Sequence, residues 1–173
     1  MRHRTISSFG CISFALLLLA PMGAAAQAEV DYSRQISGPV EARVTKVRDG
    51  DTVEVEAFVW PMQTVHVAVR LKGIDAPEHR GKCPAEKHAA DVATARLTAL
   101  VGDGTVSLFD VSGGKYYGRV LARIGTADDK DLSKTLLKEG LVAPYSGGKR
   151  RNWCDGSLPD SFSAADVAGP GRG

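Results

Sequence analysis

Five charged residues in three short segments carry the side chains that hydrolysis of a phosphodiester would require. They are three carboxylates and two guanidiniums: Asp51, Asp75, Glu78, Arg70 and Arg119. Carboxylate oxygens can hold a divalent cation and accept a proton. Arginine can bind two oxygens of one phosphate through paired donors. The set therefore predicts metal-assisted attack on a phosphodiester, provided that the fold brings the five residues together.

Each segment has a simpler interpretation when it is taken alone. Asp49-Gly50 is a common hairpin turn, and Arg70 is typical of a solvated strand face. Arg119 could pair with Asp110. The segment at 75–78 indicates a turn that leads into a helix. Only the joint occurrence of the segments favours a chemical role.

Five segments alternate between apolar and polar residues, as strands do when one face is buried. The predicted strands are Glu41–Arg48, Thr52–Phe58, Gln63–Lys72, Val106–Val111 and Arg119–Ile124. The third strand has the clearest pattern, with one apolar face formed by Val65, Val67, Val69 and Leu71.

Two segments show helical periodicity. The first is predicted at Ala85–Val101, and Gly102 would end it. The second is predicted at Leu132–Glu139, with Asp131 as its N-cap and Gly140 at C′. The order of elements is therefore three strands, a helix, two strands and a helix.

This order predicts a fold that is mainly β with helices (α+β). It is typical of a five-stranded oligonucleotide/oligosaccharide-binding (OB) barrel, with one helix after strand 3 and another after strand 5. Closure of the barrel would bring turns that are distant in sequence to one rim. An open α+β sheet would show the same pattern, so periodicity alone leaves both architectures open.

Residues 1–26 have the features of a cleaved secretory signal peptide. Arg2 and Arg4 precede a short apolar run, and Ala24–Ala26 offer small residues at the cleavage site. The apolar run is too short for a good transmembrane helix, and an uncleaved membrane anchor is the alternative. We therefore expect a secreted or periplasmic protein that does not contact the membrane after cleavage.

The rest of the chain divides into three predicted parts: an irregular lead-in at 27–39, a folded domain at 40–154 and a flexible tail at 155–173. The chain has 22 Lys and Arg against 20 Asp and Glu, and the signal peptide removes two of the basic residues, so no net charge remains. Contact with nucleic acid would thus depend on a local patch such as Lys149–Arg151.

Two cysteines remain after the signal peptide, which contains Cys11. In an oxidising compartment Cys83 and Cys154 are expected to form one disulfide. Two unpaired thiols are the alternative, because a sequence does not show whether two cysteines meet in space.

Taken together, three segments resemble the signature of the staphylococcal (micrococcal) nuclease family. They are Asp49–Thr52 (DGDT), Arg70–Glu78 (RLKGIDAPE) and Tyr117–Arg119 (YGR), with the family's order and internal spacings. The resemblance extends over Glu41–Tyr145. It implies an OB-fold nuclease-like domain that requires Ca²⁺ and cleaves DNA and RNA to products with 3′-phosphates.

The resemblance also implies a set of cation ligands. Asp51 and Asp75 would bind Ca²⁺ through their carboxylates, and Ala76 through its backbone carbonyl. Oxygen-only ligation suits a hard cation. The family has threonine where this chain has Ala76, so a carbonyl ligand is retained while a hydroxyl is lost.

The remaining family roles concern water and substrate. Glu78 would orient or deprotonate the attacking water, and Arg70 and Arg119 would hold the phosphate and offset its charge in the transition state. Further substrate contacts are implied for three residues, Tyr117, Tyr145 and Lys115. Lys115 would stand in for a family lysine whose position is occupied here by Tyr116.

We therefore expect an exported, Ca²⁺-dependent nuclease that acts as a monomer on single-stranded or frayed DNA and RNA. The alternative from another functional class is a catalytically silent OB-fold module that binds nucleic acid. An exported phosphodiesterase for small nucleotides is a third interpretation.

Overall fold

The structure is a computed structural model that describes residues 34–155. The predicted signal peptide at 1–26, residues 27–33 of the lead-in and all but the first residue of the predicted tail lie outside the described residues. In the part of the chain that is described, no helix is long and apolar enough to cross a membrane.

The described residues form eight strands, two α-helices and a 3-10 helix. In chain order they are β1 (Gln35–Ile36), β2 (Val40–Asp49), β3 (Thr52–Trp60), β4 (Gln63–Leu71), β5 (Ile74–Asp75), α1 (Pro84–Val101), β6 (Thr105–Gly113), β7 (Arg119–Gly125), α2 (Leu132–Lys138), β8 (Ala143–Pro144) and the 3-10 helix Trp153–Asp155. All seven elements expected from periodicity are present, with ends that differ by one or two residues.

Five of the strands close into a barrel. Strands β2, β3 and β4 form an antiparallel meander, β4 pairs with β7 in parallel, and β7 pairs with β6. Strand β6 then returns to β2, which completes the circle. The closed barrel with two helices confirms the OB-type architecture and excludes the open sheet.

Alternating residues of the barrel strands fill its interior. Fully buried side chains include Val53, Val55, Val69, Leu71, Leu108 and Ile124. The expected apolar face of β4 is buried only toward its carboxyl end, because the β3–β4 hairpin extends past the barrel. As a result Val65 is 45% exposed, and Trp60 and Met62 at the hairpin turn are also exposed.

Helix α1 packs against β2 through small side chains. Cys83 is its N-cap and Pro84 its first residue, a position where the missing N–H has no cost. Ala89, Ala93 and Leu97 are buried on the face toward the barrel. Gly102 ends the helix at a positive φ of 62°, as predicted for this glycine.

Helix α2 begins at the predicted residue and ends one residue before the predicted Glu139, but its N-cap works differently from the expectation. The Asp131 side chain makes no capping hydrogen bond. Instead its Oδ2 lies 3.4 Å from Lys134 Nζ, and its backbone carbonyl accepts from Lys134 N. Gly140 follows with a φ of 73°, which suits the predicted C′ position.

Three short strands were absent from the expectation. Strand β1 lies within the segment expected to be an irregular lead-in and pairs with Ser112 and Val111 of β6. Strands β5 and β8 pair with each other. Two-residue strands have no detectable period, so only the tertiary fold reveals them.

Candidate active site

Strand register brings the sequence-predicted residues to one rim of the barrel. Asp51 lies in the turn between β2 and β3, and its neighbour Thr52 pairs across the sheet with Arg70 at the end of β4. Arg119 begins β7 opposite Ala68, two residues before Arg70. Asp75 follows on β5.

The Asp51 carboxylate is almost fully buried and uses both oxygens. Its Oδ1 accepts from Arg70 Nη1 at 2.5 Å and from Thr52 Oγ1 at 2.8 Å, while Oδ2 accepts from Ala76 N at 2.9 Å. Burial raises the pKa of Asp51 to about 6, against the opposing effect of the Arg70 charge. A nearby positive charge favours the ionised form of this carboxylate.

Arg70 joins Asp51 to the second buried carboxylate. Its Nη2 donates to Asp75 Oδ1 at 3.0 Å, and its own side chain is only 19% exposed. One guanidinium thus joins the two carboxylates. Asp75 also binds a second arginine, which the sequence did not single out.

That second arginine is Arg150. Its Nε lies 2.9 and 2.8 Å from the two carboxylate oxygens of Asp75, and its Nη2 donates to the carbonyl of Ala76 at 2.8 Å. Its Nη1 donates to the Glu78 carboxylate. In the sequence it was only the middle of the basic run Lys149–Arg151, with no periodic or motif signal.

The pairing of Cys83 with Cys154 that the sequence predicts does point to Arg150. The structure joins Cys83 to Cys154 by a disulfide, with a Cα–Cα distance of 5.9 Å. Cys83 follows Glu78 closely and Cys154 follows Arg150 closely in the chain. A pairing of these cysteines therefore places Arg150 near the carboxylates.

Arg119 lines the same cleft without an acidic partner. Its guanidinium carbon lies 4.8 Å from the centre of the Tyr116 ring. Within residues 34–155, its buried Nε has no hydrogen-bond partner. The possible pair with Asp110 is wrong, because Asp110 binds Arg123 Nε at 2.7 Å instead.

The cleft has a volume of about 500 Å³ and is rich in arginine. Its lining residues are Arg48, Asp49, Asp51, Thr52, Arg70, Ala76, Pro77, Glu78, His79, Arg80, Arg119 and Arg150. Asp75 lies beneath them, 2% exposed. This lining provides both acidic oxygens and guanidinium donors to an anionic substrate.

The three predicted substrate residues are not among those that line the cleft. The side chain of Tyr117 is fully exposed, and Lys115 lies 5.7 Å from the Tyr116 ring centre in the same loop. The hydroxyl of Tyr145 donates to the carbonyl of Gly148 at 3.2 Å. Their contacts with substrate stay predictions.

The oxygen groups fit a hard divalent cation by their chemistry. Asp51, Asp75 and the Ala76 carbonyl supply oxygen only, which Ca²⁺ and Mg²⁺ prefer. Two guanidiniums already lie against the two carboxylates, Arg70 on both and Arg150 on Asp75. Positive charge is therefore stabilised at the place where the resemblance implies a cation.

Comparison with known families agrees with this geometry. The family model described as staphylococcal nuclease homologue matches residues 68–160, which is more than half of the chain. The match includes Arg70, Asp75, Glu78, Arg119 and Arg150, and it begins after Asp51. A search of curated proteins found no match. The chain belongs to the family of staphylococcal nuclease homologues.

Proposed function

We propose that this protein is an exported, Ca²⁺-dependent nuclease that hydrolyses phosphodiester bonds of DNA and RNA and leaves 3′-phosphates. The observation that carries the proposal is the convergence of Asp51, Glu78 and Arg70 in one cleft that Arg119 also lines, with Asp75 bound to Arg70 beneath the cleft. Family membership makes a nuclease the first expectation, and this convergence supports catalysis.

Asp51, Asp75 and the Ala76 carbonyl would hold the cation. When bound, Ca²⁺ would neutralise charge on the scissile phosphate and polarise its phosphorus–oxygen bonds. The buried state of Asp51 and Asp75, each 2% exposed, keeps these ligands fixed and partly shielded from water. Fixed ligands stabilise a developing charge without reorganisation.

Glu78 would accept the proton of the attacking water. Its side chain is 55% exposed, so water has access to its carboxylate from the cleft. The water oxygen attacks phosphorus and the bond to the 5′-oxygen breaks, so the phosphate stays on the 3′ side. The 5′-oxygen takes a proton as it leaves.

Arg70 and Arg119 would bind the phosphate oxygens. The two aspartates hold Arg70 through its Nη1 and Nη2, and the Tyr116 ring lies against Arg119. Guanidiniums that are held in place before substrate arrives contribute most to transition-state stabilisation. A single strand, whose backbone is free to bend into the cleft, suits this site better than a rigid duplex.

Product analysis tests the reaction. The purified protein is incubated with end-labelled single-stranded DNA and RNA in Ca²⁺, and in parallel with EGTA. We expect cleavage only with Ca²⁺ and fragments whose 3′ ends are sensitive to a phosphatase. Fragments with 3′-hydroxyls, or cleavage that EGTA does not reduce, would contradict the proposed mechanism.

A catalytically silent binding module is the second candidate, and one observation favours it. Asp51, Asp75 and Glu78 are all paired with arginine already, so the acidic residues have a structural partner without a metal. In that case oligonucleotide binding measured by fluorescence anisotropy would persist in EGTA, and no fragments would appear in Ca²⁺.

Export is part of the proposal and rests on the sequence of residues 1–26. Expression of the full chain in a Gram-negative host, followed by N-terminal sequencing of the periplasmic fraction, tests it. We expect a mature protein that begins at residue 27. A full-length protein found only in the cytosol would contradict export.

A further inference from the structure

Arg150 occupies oxygen atoms that the proposed function assigns to the cation. Its guanidinium contacts both oxygens of Asp75 and the carbonyl of Ala76. These are two of the three proposed ligand groups. It also contacts Glu78, the proposed proton acceptor. One side chain therefore covers most of the acidic side of the cleft.

A guanidinium that contacts both oxygens of Asp75 competes with a divalent cation for them. Ca²⁺ coordinates oxygen at about 2.3–2.6 Å, and Nε of Arg150 lies 2.8 and 2.9 Å from the two Asp75 oxygens. A cation on these oxygens would lie close to the Arg150 guanidinium, and the two positive charges would repel each other. Arg150 in this position therefore weakens cation binding.

The Arg150 side chain remains 39% exposed, so solvent reaches it and can solvate its charge when a cation displaces it. It lies on a segment at 146–154, which we call the arginine strap. Gly147 and Gly148, with φ of 105° and 99°, allow the strap its turn. Immediately before the strap, Tyr145 N donates to the carbonyl of Gly73 at 2.9 Å and fixes the start of the segment.

The disulfide holds the far end of the strap. Cys154 is bonded to Cys83, which caps helix α1. Near this end the Arg151 guanidinium lies 4.7 Å from the ring of the buried Trp153. A segment held at both ends keeps Arg150 at a high effective concentration beside the carboxylates.

We propose that Arg150 is a built-in competitor of the divalent cation, and that the Cys83–Cys154 disulfide sets the strength of this competition. The inference rests on the proposed function for the identity of the cation ligands. It adds a residue that determines cation affinity and a redox dependence of that affinity. The reduced protein binds Ca²⁺ more tightly than the oxidised protein, because an untethered strap holds Arg150 less firmly.

Calorimetric titration of the full-length protein with CaCl₂ tests the competition without any substrate. We expect Arg150→Gln to lower the Kd for Ca²⁺ about tenfold, within the usual range of coupling between two sites. Lys149→Gln removes the same charge one residue away and is the matched control. It should change the Kd by less than about twofold, because long-range charge effects are screened by salt.

The redox arm uses the same titration after reduction of the disulfide. Reduction should lower the Kd of the wild-type protein about fivefold or more, and it should have almost no effect in Arg150→Gln. Thermal unfolding of each sample shows whether it is folded. If Asp75→Asn abolishes the binding measured in wild type, the titration reports this site.

The outcomes separate this inference from the proposed function. A Kd for Arg150→Gln equal to that of Lys149→Gln, with cleavage intact in wild type, would overturn the role of Arg150 and leave the nuclease proposal standing. Tighter Ca²⁺ binding in Arg150→Gln without cleavage by either protein would support the competition and contradict the nuclease proposal. Absence of Ca²⁺ binding in all variants would contradict both.

Discussion

At the scale of single residues, the site is a cluster of buried carboxylates that depends on arginine for its charge balance. Asp51 and Asp75 share Arg70, and Asp75 also binds Arg150. A buried carboxylate without a partner would have a high energetic cost. The arginines therefore both stabilise the folded protein and prepare the cleft for a phosphate.

Arg119 differs from Arg70 and Arg150 because no acidic side chain among residues 34–155 binds it. We predict that Arg119→Ala lowers kcat/KM on single-stranded DNA by about 10²–10³, as expected for loss of one transition-state donor. Initial rates in saturating Ca²⁺ measure this effect.

Arg123→Ala is the matched control for this prediction. Arg123 lies on the same strand but pairs with Asp110 outside the cleft. It should keep kcat/KM within about threefold of wild type, because surface changes away from a site have small effects. Equal losses in the two variants would show that general charge, and not the position of Arg119, supports the reaction.

The raised pKa of Asp51 predicts how stability depends on pH in the metal-free protein. Burial raises this pKa from 3.8 to about 6, so the folded state retains the proton between these values while the unfolded state loses it. The stabilisation is present below pH 4 and is lost as pH rises through 6. The slope is roughly 1.4 kcal/mol per pH unit for one proton.

Urea unfolding in EGTA, from pH 4 to 8, measures this dependence. Asp51→Asn removes the titrating group, so the free energy of unfolding of the variant relative to wild type should rise from pH 4 to 6 and then level off. Other titrating groups contribute equally to both proteins. A difference that stays constant with pH would reject the assignment to Asp51.

At the scale of secondary-structure elements, helix α1 positions the β2–β3 turn that carries Asp51. A Cβ placed on Gly50 would lie 2.6 Å from Ala93 Cβ and 3.0 Å from Ala76 Cβ. The turn thus fits against the helix and the third cation ligand only because Gly50 has no side chain.

We predict that Gly50→Ala lowers the free energy of unfolding by about 1–3 kcal/mol, the usual cost of overpacking, and weakens Ca²⁺ binding. Gly113→Ala is the control, since a Cβ there would meet nothing within 4 Å. It should change stability by less than about 0.5 kcal/mol. Urea unfolding measures the stability of both variants, and equal stability would contradict the packing argument.

At the scale of the whole molecule, the Cys83–Cys154 disulfide ties the chain end of the domain to the start of α1. The two cysteines are separated by 71 residues. The chain-entropy model gives about 4 kcal/mol for a loop of this length. We predict a loss of this size in free energy of unfolding for the double variant Cys83→Ser, Cys154→Ser, measured in urea. A loss below about 1 kcal/mol would mean that the cross-link does not restrict the unfolded chain as this model assumes.

Much of the barrel could be predicted from sequence because strands β2, β3, β4, β6 and β7 alternate clearly between apolar and polar residues. The rim position of Asp51, Arg70 and Asp75 followed from the signature segments once the barrel was assumed. Arg150 could be placed near the carboxylates only through the expected pairing of Cys83 with Cys154, since no local period or motif marks it. The exposure of the β3–β4 hairpin end could not be predicted either, because alternation does not show where a sheet extends past its core.

The most direct measurement of the central claim is the initial rate of single-stranded DNA cleavage in Ca²⁺ and in EGTA, for wild type and Asp75→Asn prepared identically. Asp75 binds both Arg70 and Arg150 and is a proposed cation ligand. We expect rapid cleavage by wild type in Ca²⁺, and none by wild type in EGTA or by Asp75→Asn in either condition. No cleavage by wild type in Ca²⁺, or equal rates for the two proteins, would contradict it.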